Sequence, residues 1–348
     1  MGKLVSLENY LADWSGDDQD RAAIVKTILS VVGASTTLAN LIARGPLAGP
    51  LAQIVGENAD GDAQKELDIV ANELFIEALS NAPVAVIGSE ENETALTLNR
   101  DAALAVAIDP LDGSSNIETN VSVGTIFSVL PARDAAGGAI ASPILQPGVK
   151  QLAAGFVIYG PQTALVLTVR QGTCIFTLDP ESSQYMLTGK DVRIPAGKQE
   201  YAINASNYRH WEEPLRAYID DCISDDLASH GGKFNMRWVA SLVAEAYRIM
   251  VRGGVFLYPR DDRPGYQNGR LRLLYEANPI ALLIEEAGGM ATDGTRNILD
   301  IEPSDLHERV PLIFGSSEIV DRVADYHTNR NSMISRSPLF ARRGLFRG

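Results

Sequence analysis

Cysteine is scarce in this sequence. Only two of the 348 residues are cysteines, Cys174 and Cys222, which is too few for a disulfide framework, and their spacing is not that of metal ligands. The first residues also lack the charged start and apolar segment of a secretory signal. We therefore expect a protein of a reducing compartment, namely a cytoplasmic one.

Long apolar runs are missing as well. The longest stretch without a charged residue covers residues 151–169, and Gly160 and Pro161 interrupt it near its middle. A membrane helix needs about 20 mostly apolar residues in a row, and this pair would break one. The stretch therefore predicts two strands joined by a turn, and we expect no membrane association.

Positive charge is in deficit over most of the chain. The 30 Lys and Arg against 44 Asp and Glu give a formal net charge of −14. Because an acidic surface repels phosphate backbones, we expect no nucleic-acid partner. Residues 330–348 are the exception, since they carry five arginines and no acid. Such a terminal run predicts a flexible basic tail.

The spacing of apolar residues predicts the organisation of the chain. Its length favours two domains, and the pattern changes near residue 200, so we predict an N-terminal α+β domain (1–200), a C-terminal α/β domain (201–329) and the tail (330–348). Helical spacing occurs in four segments, which are 20–45, 64–83, 237–254 and 278–289. Strand-like runs occur at 84–88, 103–108 and 123–132, followed by the pair in 151–169.

Carboxylates follow two of the predicted strands directly. They are Glu90 and Glu91 after the first strand and Asp109 and Asp112 after the second, with Asp62, Asp68 and Glu276 elsewhere. Sheets commonly bind ligands at strand ends, and Mg²⁺ prefers oxygen ligands, so several such acids could hold two or three cations. Taken singly, Glu90, Glu91 and Asp62 are typical of solvated loops, and Asp68 of an exposed helix position.

The segment AIDPLDGSSN, residues 107–116, is the densest of these clusters. Pro110 would make a rigid turn that projects the aspartates into one site. Gly113 allows close backbone approach, and Ser114 or Ser115 could cap a helix whose first N–H groups bind phosphate. A plain surface turn would also explain the glycine and serines, but not two aspartates directly after a buried strand.

The second half supplies side chains that suit a phosphate and a sugar. Arginine forks and tyrosine hydroxyls fit both groups, and the candidates are Asn204, Tyr208, Arg237, Tyr258, Arg270 and Arg272. Tyr258 and Trp238 could equally be core residues. The chain has no GxxxxGK[ST] loop, no GxGxxG opening a helix and no GxSxG, so nucleotide-driven and serine-nucleophile chemistry lack their usual signals.

The motifs together resemble those of a known family. DPLDGSSNIETNVSVGTIFSV resembles the signature of metal-dependent, lithium-sensitive sugar phosphatases. SEEN, GGVFLYP and GRLRLLYEANPIALLIEEAGGMATDG are similar to those of class I fructose-1,6-bisphosphatases over residues 20–327. The resemblance implies a layered αβαβα fold of the α/β (α+β) class, with two sheets sandwiched between helices. It also implies hydrolysis of the 1-phosphate of fructose 1,6-bisphosphate in gluconeogenesis or the Calvin cycle.

The same resemblance implies a cofactor and roles for individual residues. Two or three Mg²⁺ ions, or Mn²⁺, would be bound by Glu90, Glu91, Asp109, the Leu111 carbonyl, Asp112 and Glu276. The catalytic acids would be Asp62, Asp68 and Glu91, of which the two aspartates match loop acids that position or deprotonate water. The 1-phosphate would bind Gly113, Ser114, Ser115 and Arg272, beside Asp112, and the sugar Arg270. The 6-phosphate would bind Asn204, Tyr208, Tyr258 and Arg237, the last from a neighbouring subunit of a homotetramer.

Departures from the family pattern carry expectations of their own. Trp238 and Arg270 stand where relatives often have Tyr and Lys, so sedoheptulose 1,7-bisphosphate is a plausible second substrate. Ala103 and Leu104 replace a Lys-Tyr pair, which implies weak or absent inhibition by AMP. An inositol or nucleotide phosphatase, or a catalytically silent metal-binding scaffold, would be the competing interpretations.

Overall fold

A computed structural model of the 348-residue chain describes residues 4–49, 53–57, 63–224 and 234–328. Two sequence predictions, the catalytic role of Asp62 and the flexible tail at 330–348, lie outside the described residues. The α-helices of the described residues are α1 Leu7–Ser15, α2 Gln19–Arg44, α3 Glu66–Ser80, α4 Glu213–Ile223, α5 Leu242–Arg252, α6 Asn278–Glu286 and α7 Ser317–Thr328.

The strands form two main sheets. An eight-stranded sheet has the order β10-β9-β8-β7-β6-β5-β3-β4, and a five-stranded sheet has the order β12-β11-β13-β17-β15. The first consists of β3 Val84–Ser89, β4 Leu96–Thr97, β5 Leu104–Asp112, β6 Val123–Pro131, β7 Ala153–Tyr159, β8 Thr163–Thr168, β9 Thr173–Asp179 and β10 Gln184–Val192. The second consists of β11 Glu200–Ala202, β12 Asn235–Met236, β13 Val255–Tyr258, β15 Gly289–Thr292 and β17 Leu312–Ser316. Two short pairs are β1 Ile54–Glu57 with β2 Ala63–Lys65, and β14 Leu271–Arg272 with β16 Arg309–Val310.

Local capping explains the helix ends. The side chain of Asp18 accepts hydrogen bonds from the first N–H groups of α2, and the helix ends at Gly45, whose φ of 48° is left-handed. Pro279 lies in the first turn of α6, where its missing N–H costs nothing. The helix predicted from residue 237 begins later, because Ser241 caps it and α5 starts at Leu242. The predicted strands at 84–88, 103–108, 123–132 and within 151–169 are confirmed.

Alternation along the strands builds a layered molecule. In β6, Phe127 packs with α1, α2 and α3, whereas its neighbour Ile126 packs on the opposite face with α5 and α6. In β13, Phe256 faces the same middle helices, and Leu257 faces α4 and α7. The layers are therefore helix, large sheet, helix, small sheet and helix, which confirms the predicted αβαβα architecture.

Helix α2 forms part of the outer layer. With the short 3₁₀ turn that follows it, the segment Gln19–Ala48 is long and apolar enough to cross a membrane, yet 50% of its most apolar window is buried inside the protein. The buried side chains include Ile28, Val31 and Leu38, which are in the core shared with the large sheet. A core helix of this kind passes the same test of length and composition.

One parallel pair within the large sheet positions the acidic residues. Strands β3 and β5 run in the same direction, with Ser89 paired to Ile108. Glu90 follows the first strand, and its N–H donates to the carbonyl of Ile108 at 3.1 Å. The carboxyl ends of the two strands therefore bring Glu90 beside Asp109, as the sequence predicted. The large sheet ends at Val192 and the small one begins at Glu200; the domain division near residue 200 stays a prediction.

Candidate active site

Three buried carboxylates converge at the end of the large sheet. Carboxylate oxygens of Asp109, Asp112 and Glu276 all lie within 4.8 Å of one another. Asp109 and Asp112 come from β5, whereas Glu276 comes from a π-helical turn, Leu273–Ala277, that precedes α6. The structure thus brings together acids from the first and second halves of the chain.

The predicted rigid turn around Pro110 is wrong. Residues 109–112 continue β5, and the pairing with β6 shifts register between Asp109 and Asp112. Proline cannot donate a ladder hydrogen bond, so inside a sheet it belongs at such an irregularity. The carbonyl of Pro110 accepts a hydrogen bond from the hydroxyl of Thr125 at 2.7 Å, which holds the irregular segment in place.

Glu90, the first of the two glutamates after β3, lies beside this cluster, and Glu91 follows it in the chain. Both are half-buried on the turn that follows the strand. One oxygen of Glu90 lies 3.2 Å from a guanidinium nitrogen of Arg272, and the N–H of Glu91 donates to the Ser89 hydroxyl at 3.3 Å. Arg272, assigned to the 1-phosphate by the resemblance, is therefore buried among the acids and offsets part of their charge.

Burial and mutual repulsion raise the pKa values of the cluster. Loss of solvation is the largest cause for each acid, and the negative charge of Glu90 adds to it. The pKa of Asp109 rises well above its ordinary value, that of Asp112 rises to about 7 and that of Glu276 to about 8. The protein alone thus holds these carboxylates at a free-energy cost, which a bound cation would offset.

The composition of the cluster fits a hard divalent cation. All three converging groups are carboxylates, and Mg²⁺ and Ca²⁺ take oxygen ligands of this kind. The N–H of Leu111 donates to Asp109 at 3.0 Å, which fixes the rotation of that carboxylate. The three carboxylates therefore form a donor set that is in place before any cation binds.

The glycine-serine segment follows directly on Asp112. Gly113 has a left-handed φ of 75° and precedes a six-residue 3₁₀ helix, Ser114–Thr119, so the predicted serine cap is not formed. Ser114 is half-buried and Ser115 is exposed. Both serines therefore follow closely on Asp112 of the acid cluster.

Asp68 lies in the first turn of α3 rather than on a loop, and it is only 3% exposed. The expectation of an exposed helix residue is thus wrong as well. Its carboxylate accepts the N–H of Lys65 at 2.7 Å and a hydrogen bond from Ser114, while burial raises its pKa. The structure therefore connects Asp68 to the glycine-serine segment.

Lys65 is a site residue that sequence reasoning missed. Its ammonium donates to the carbonyl of Ser114 at 3.1 Å and lies 3.5 Å from a carboxylate oxygen of Glu118. It is 7% exposed, which is unusual for lysine. Nothing in the sequence distinguishes it from an ordinary lysine before a helix, because its partners are about fifty positions away.

A shallow groove in the second half contains two of the residues predicted to bind the 6-phosphate. Asn204 and Tyr258 line it together with Trp238 and Arg263. Arg263 was not predicted, because no motif in the sequence distinguishes it. Two nitrogens of its guanidinium contact Asp261. The groove is near the acid cluster, because the negative charge of Glu276 contributes to raising the pKa of Tyr258. The positive charge of Arg270 lowers that pKa.

The other three residues predicted to bind the 6-phosphate or the sugar do not line this groove. The hydroxyl of Tyr208 donates to Asp220 at 2.7 Å. Arg270 stacks on Tyr266, 4.7 Å from the ring centroid, and donates to its hydroxyl at 2.9 Å. Arg237 is exposed. The structure therefore brings Asn204 and Tyr258 together but not these three.

The segment that carries Arg237 and Trp238 is tied to the acidic motif. The Asn116 side chain donates to the carbonyl of Ala240 at 2.8 Å, and Asp112 accepts the N–H of Val243 at 3.3 Å. Ala240 has a φ of 61°, a left-handed conformation that is uncommon for alanine and often marks functional sites. The two predicted subsites are thus physically joined.

Comparisons with known proteins agree with this geometry. Residues 11–190 match the family model "Fructose-1-6-bisphosphatase, N-terminal domain", and residues 194–328 match "Fructose-1-6-bisphosphatase, C-terminal domain". The chain is 52% identical to fructose-1,6-bisphosphatase class 1 of Azorhizobium caulinodans, over 93% of this chain and 99% of that one. It is 51% identical to a class 1 enzyme of Nitrobacter hamburgensis over the whole of both chains.

A solved structure is also similar. The crystal structure of Leishmania major fructose-1,6-bisphosphatase in holo form superposes with a TM-score of 0.87 at 33% identity. The match covers 94% of this chain and 100% of that one. The similarity thus extends over nearly the whole chain.

Proposed function

This chain belongs to the class 1 fructose-1,6-bisphosphatase family and hydrolyses fructose 1,6-bisphosphate, and on that premise we propose that it releases the 1-phosphate with Mg²⁺ held at the acid cluster. The observation that carries the proposal is the convergence of three buried carboxylates within 4.8 Å, with raised pKa values. Such a cluster is unfavourable unless a cation joins it.

Two or three Mg²⁺ ions, or Mn²⁺, would be shared among the cluster acids, the glutamates after β3 and the Leu111 carbonyl. The proposed ligands are Glu90, Glu91, Asp109, Leu111, Asp112 and Glu276. When bound, such ions offset the charge of the phosphate and activate the attacking water. Loss of the cation would leave the carboxylates repelling the phosphate.

The chain's own groups would position the reacting phosphate. Gly113, Ser114 and Ser115 would contact it beside the cluster, and Arg272 would keep Glu90 in place through the 3.2 Å contact. Asp68, held by Lys65 and Ser114, is suited to accept a proton from water because its raised pKa makes it more basic than an exposed aspartate. Asp62 keeps its predicted role in the same step.

The groove lined by Asn204 and Tyr258 supports the proposal that the 6-phosphate binds there. Trp238 lines this groove, and its ring stacks 6.0 Å from that of Phe256. An indole lacks the phenol hydroxyl that a tyrosine would offer, so the groove is less specific for one phosphate position. We therefore propose sedoheptulose 1,7-bisphosphate as a second substrate.

Phosphate release tests the metal and the substrate together. We expect activity on fructose 1,6-bisphosphate with Mg²⁺, loss of that activity in EDTA and recovery when Mg²⁺ is added in excess. Sedoheptulose 1,7-bisphosphate assayed in parallel should be hydrolysed with a lower kcat/KM. Full activity in EDTA would refute the metal dependence, and inorganic phosphate from fructose 6-phosphate would refute the assignment of the 1-phosphate.

We also propose that the enzyme is cytoplasmic and serves gluconeogenesis or the Calvin cycle, with weak or absent inhibition by AMP. Leu104 is buried in the core of the large sheet, and neither it nor Ala103 has a polar side chain. Neither residue can therefore hydrogen-bond a nucleotide through its side chain.

Arg237 provides a test of the proposed homotetramer. Because it is exposed in a single chain, we propose that it contacts the 6-phosphate of a neighbouring subunit. A hydrogen bond to a charged group contributes about 1.5–3 kcal/mol, so Arg237→Ala should raise the KM for fructose 1,6-bisphosphate about 10- to 100-fold with a smaller change in kcat.

The matched control is Arg100→Ala, because Arg100 is also exposed but lies before β5, at the end opposite the acids. Its KM should equal that of the wild type. Sedimentation of the wild type as a monomer at assay concentrations, or an unchanged KM in Arg237→Ala, would contradict the assignment.

A further inference from the structure

The two segments that bring glutamates to the cluster are far apart in sequence. Glu90 and Glu91 follow β3, whereas Glu276 lies in the π-helical turn Leu273–Ala277. Metal binding needs their oxygens to be placed within a fraction of an ångström. Contacts between the two segments must therefore hold them at a constant separation, and the 3.2 Å contact of Arg272 with Glu90 is one of them.

His307 lies between these segments and contacts both. Its Nε2 is 3.0 Å from the carbonyl oxygen of Asn92, and its Nδ1 contacts the hydroxyl of Tyr275. A carbonyl can only accept, so Nε2 donates, and in the neutral tautomer with its proton on Nε2 the other nitrogen, Nδ1, accepts from the tyrosine hydroxyl. Asn92 follows Glu91 directly, and Tyr275 precedes Glu276 directly.

The Asn92 end of this connection is itself fixed. The side chain of Asn92 accepts a hydrogen bond from Asn72 of α3 at 2.8 Å, and Asn72 accepts one from the Ser89 hydroxyl at 2.8 Å. The same hydroxyl accepts the N–H of Glu91 at 3.3 Å. Movement of His307 would thus be transmitted to the turn that holds the glutamates.

The Tyr275 end is fixed by packing. Its ring is fully buried and meets the imidazole edge-on, with the ring centroids 5.9 Å apart. Single π-helical turns are rare and occur frequently at functional sites. The hydroxyl contact with His307 ties this turn to a residue outside it, one position from Glu276.

We propose that His307 is a positioning residue for the metal centre, which it maintains by joining the Glu90–Glu91 turn to the Glu276 turn. The inference rests on the proposed metal dependence. The imidazole is rigid, and it donates from one side while accepting on the other. It therefore sets the distance between the turn after β3 and the π-helical turn, which are far apart in sequence. Removing it would leave the ligands present but loosely arranged.

Mn²⁺ titration of the purified full-length protein tests this, with free Mn²⁺ followed by electron paramagnetic resonance and no substrate present. Loss of residues that orient metal ligands typically weakens metal affinity 10- to 100-fold, so His307→Ala should raise the apparent Kd for Mn²⁺ about 10- to 100-fold. Tyr275→Phe, which keeps the buried ring and removes only the hydroxyl, should raise it about fivefold.

The control is His327→Ala, because that histidine also donates one hydrogen bond to a backbone carbonyl, that of Val323 in α7. Its Kd should stay within twofold of the wild-type value. Urea unfolding in EDTA then separates positioning from general stability, since a merely structural role would lower stability in both histidine variants without changing Kd.

A wild-type Kd in His307→Ala would overturn the proposal. If that variant does not fold, an unchanged Kd in Tyr275→Phe would overturn it instead. Failure of the wild type itself to bind Mn²⁺ would refute the metal dependence and this inference together. Tight binding by the wild type with unaltered binding by the variants would refute this inference alone.

Discussion

Asp112→Asn is expected to lower kcat/KM for fructose 1,6-bisphosphate by more than about 100-fold, because loss of a ligand should exceed the 10- to 100-fold effect of losing a residue that orients one. The substitution removes one negative charge from the cluster of three carboxylates. An amide oxygen is a weaker ligand than a carboxylate, so the affinity for Mg²⁺ should fall as well. Steady-state phosphate release over a range of Mg²⁺ concentrations measures both effects.

The fold should survive this change. Asp112 accepts the N–H of Val243 at 3.3 Å, and the amide oxygen of asparagine can accept the same bond. The variant also removes a buried carboxylate whose pKa is raised to about 7, so without metal at pH 8 it should melt at a higher temperature than the wild type. Lower activity with higher metal-free stability is a combination that general misfolding cannot produce.

Asp101→Asn is the matched control for this experiment. The Asp101 side chain is 98% exposed and precedes β5 at the end away from the cluster. Its activity and metal-free melting temperature should equal those of the wild type. Wild-type activity in Asp112→Asn at low Mg²⁺ would contradict the assignment of Asp112 as a ligand.

The second large effect concerns the stability of the metal-free protein, which should fall as the pH rises from about 4 to about 8. The ordinary pKa values of Asp112 and Glu276 are 3.8 and 4.5, and in the folded protein they rise to about 7 and about 8. Between these limits the folded state binds more protons than the unfolded state. Raising the pH therefore favours unfolding, and the effect is complete above the folded pKa values.

Urea unfolding in EDTA at several pH values between 5 and 8 measures this slope. Asp112→Asn should show a shallower slope because it lacks one of the titrating groups. Excess Mg²⁺ at pH 8 should restore stability, by about 2.7 kcal/mol when its concentration is a hundred times its Kd. A metal-free stability that rises over this range in parallel with the variant would contradict the raised pKa values.

The difference between the wild type and Asp112→Asn is the decisive quantity, because other carboxylates titrate in the opposite sense. Hydrogen bonds from Ser182 lower the pKa of Asp179, for example, which favours folding as the pH rises. That contribution is common to both proteins and cancels in the comparison. The remaining difference in the slope of stability against pH is due to the buried cluster.

Local chemistry predicted much of the fold. The apolar spacing and caps of α2 and α6, and the alternation in β6, each depend on residues a few positions apart. The prediction failed where a distant partner decided the conformation. The sequence around Pro110 predicts a turn, yet pairing of the segment with β6 keeps it in a strand. Asp68 was predicted to be an exposed helix residue, yet it is buried and accepts a hydrogen bond from Ser114.

The sequence by itself determined which chemistry was possible: acids after two strands, a glycine-serine segment, and long motifs whose resemblance indicated the family. Only the tertiary structure decided that Glu276 meets Asp112, that Lys65 reaches Ser114 and that His307 spans two ligand segments. Periodicity reports which face of an element is buried but not which distant element covers it. The contacts that build the site each join two distant parts of the chain. Because the residues around one part do not indicate which other part will contact it, the sequence could not predict these contacts.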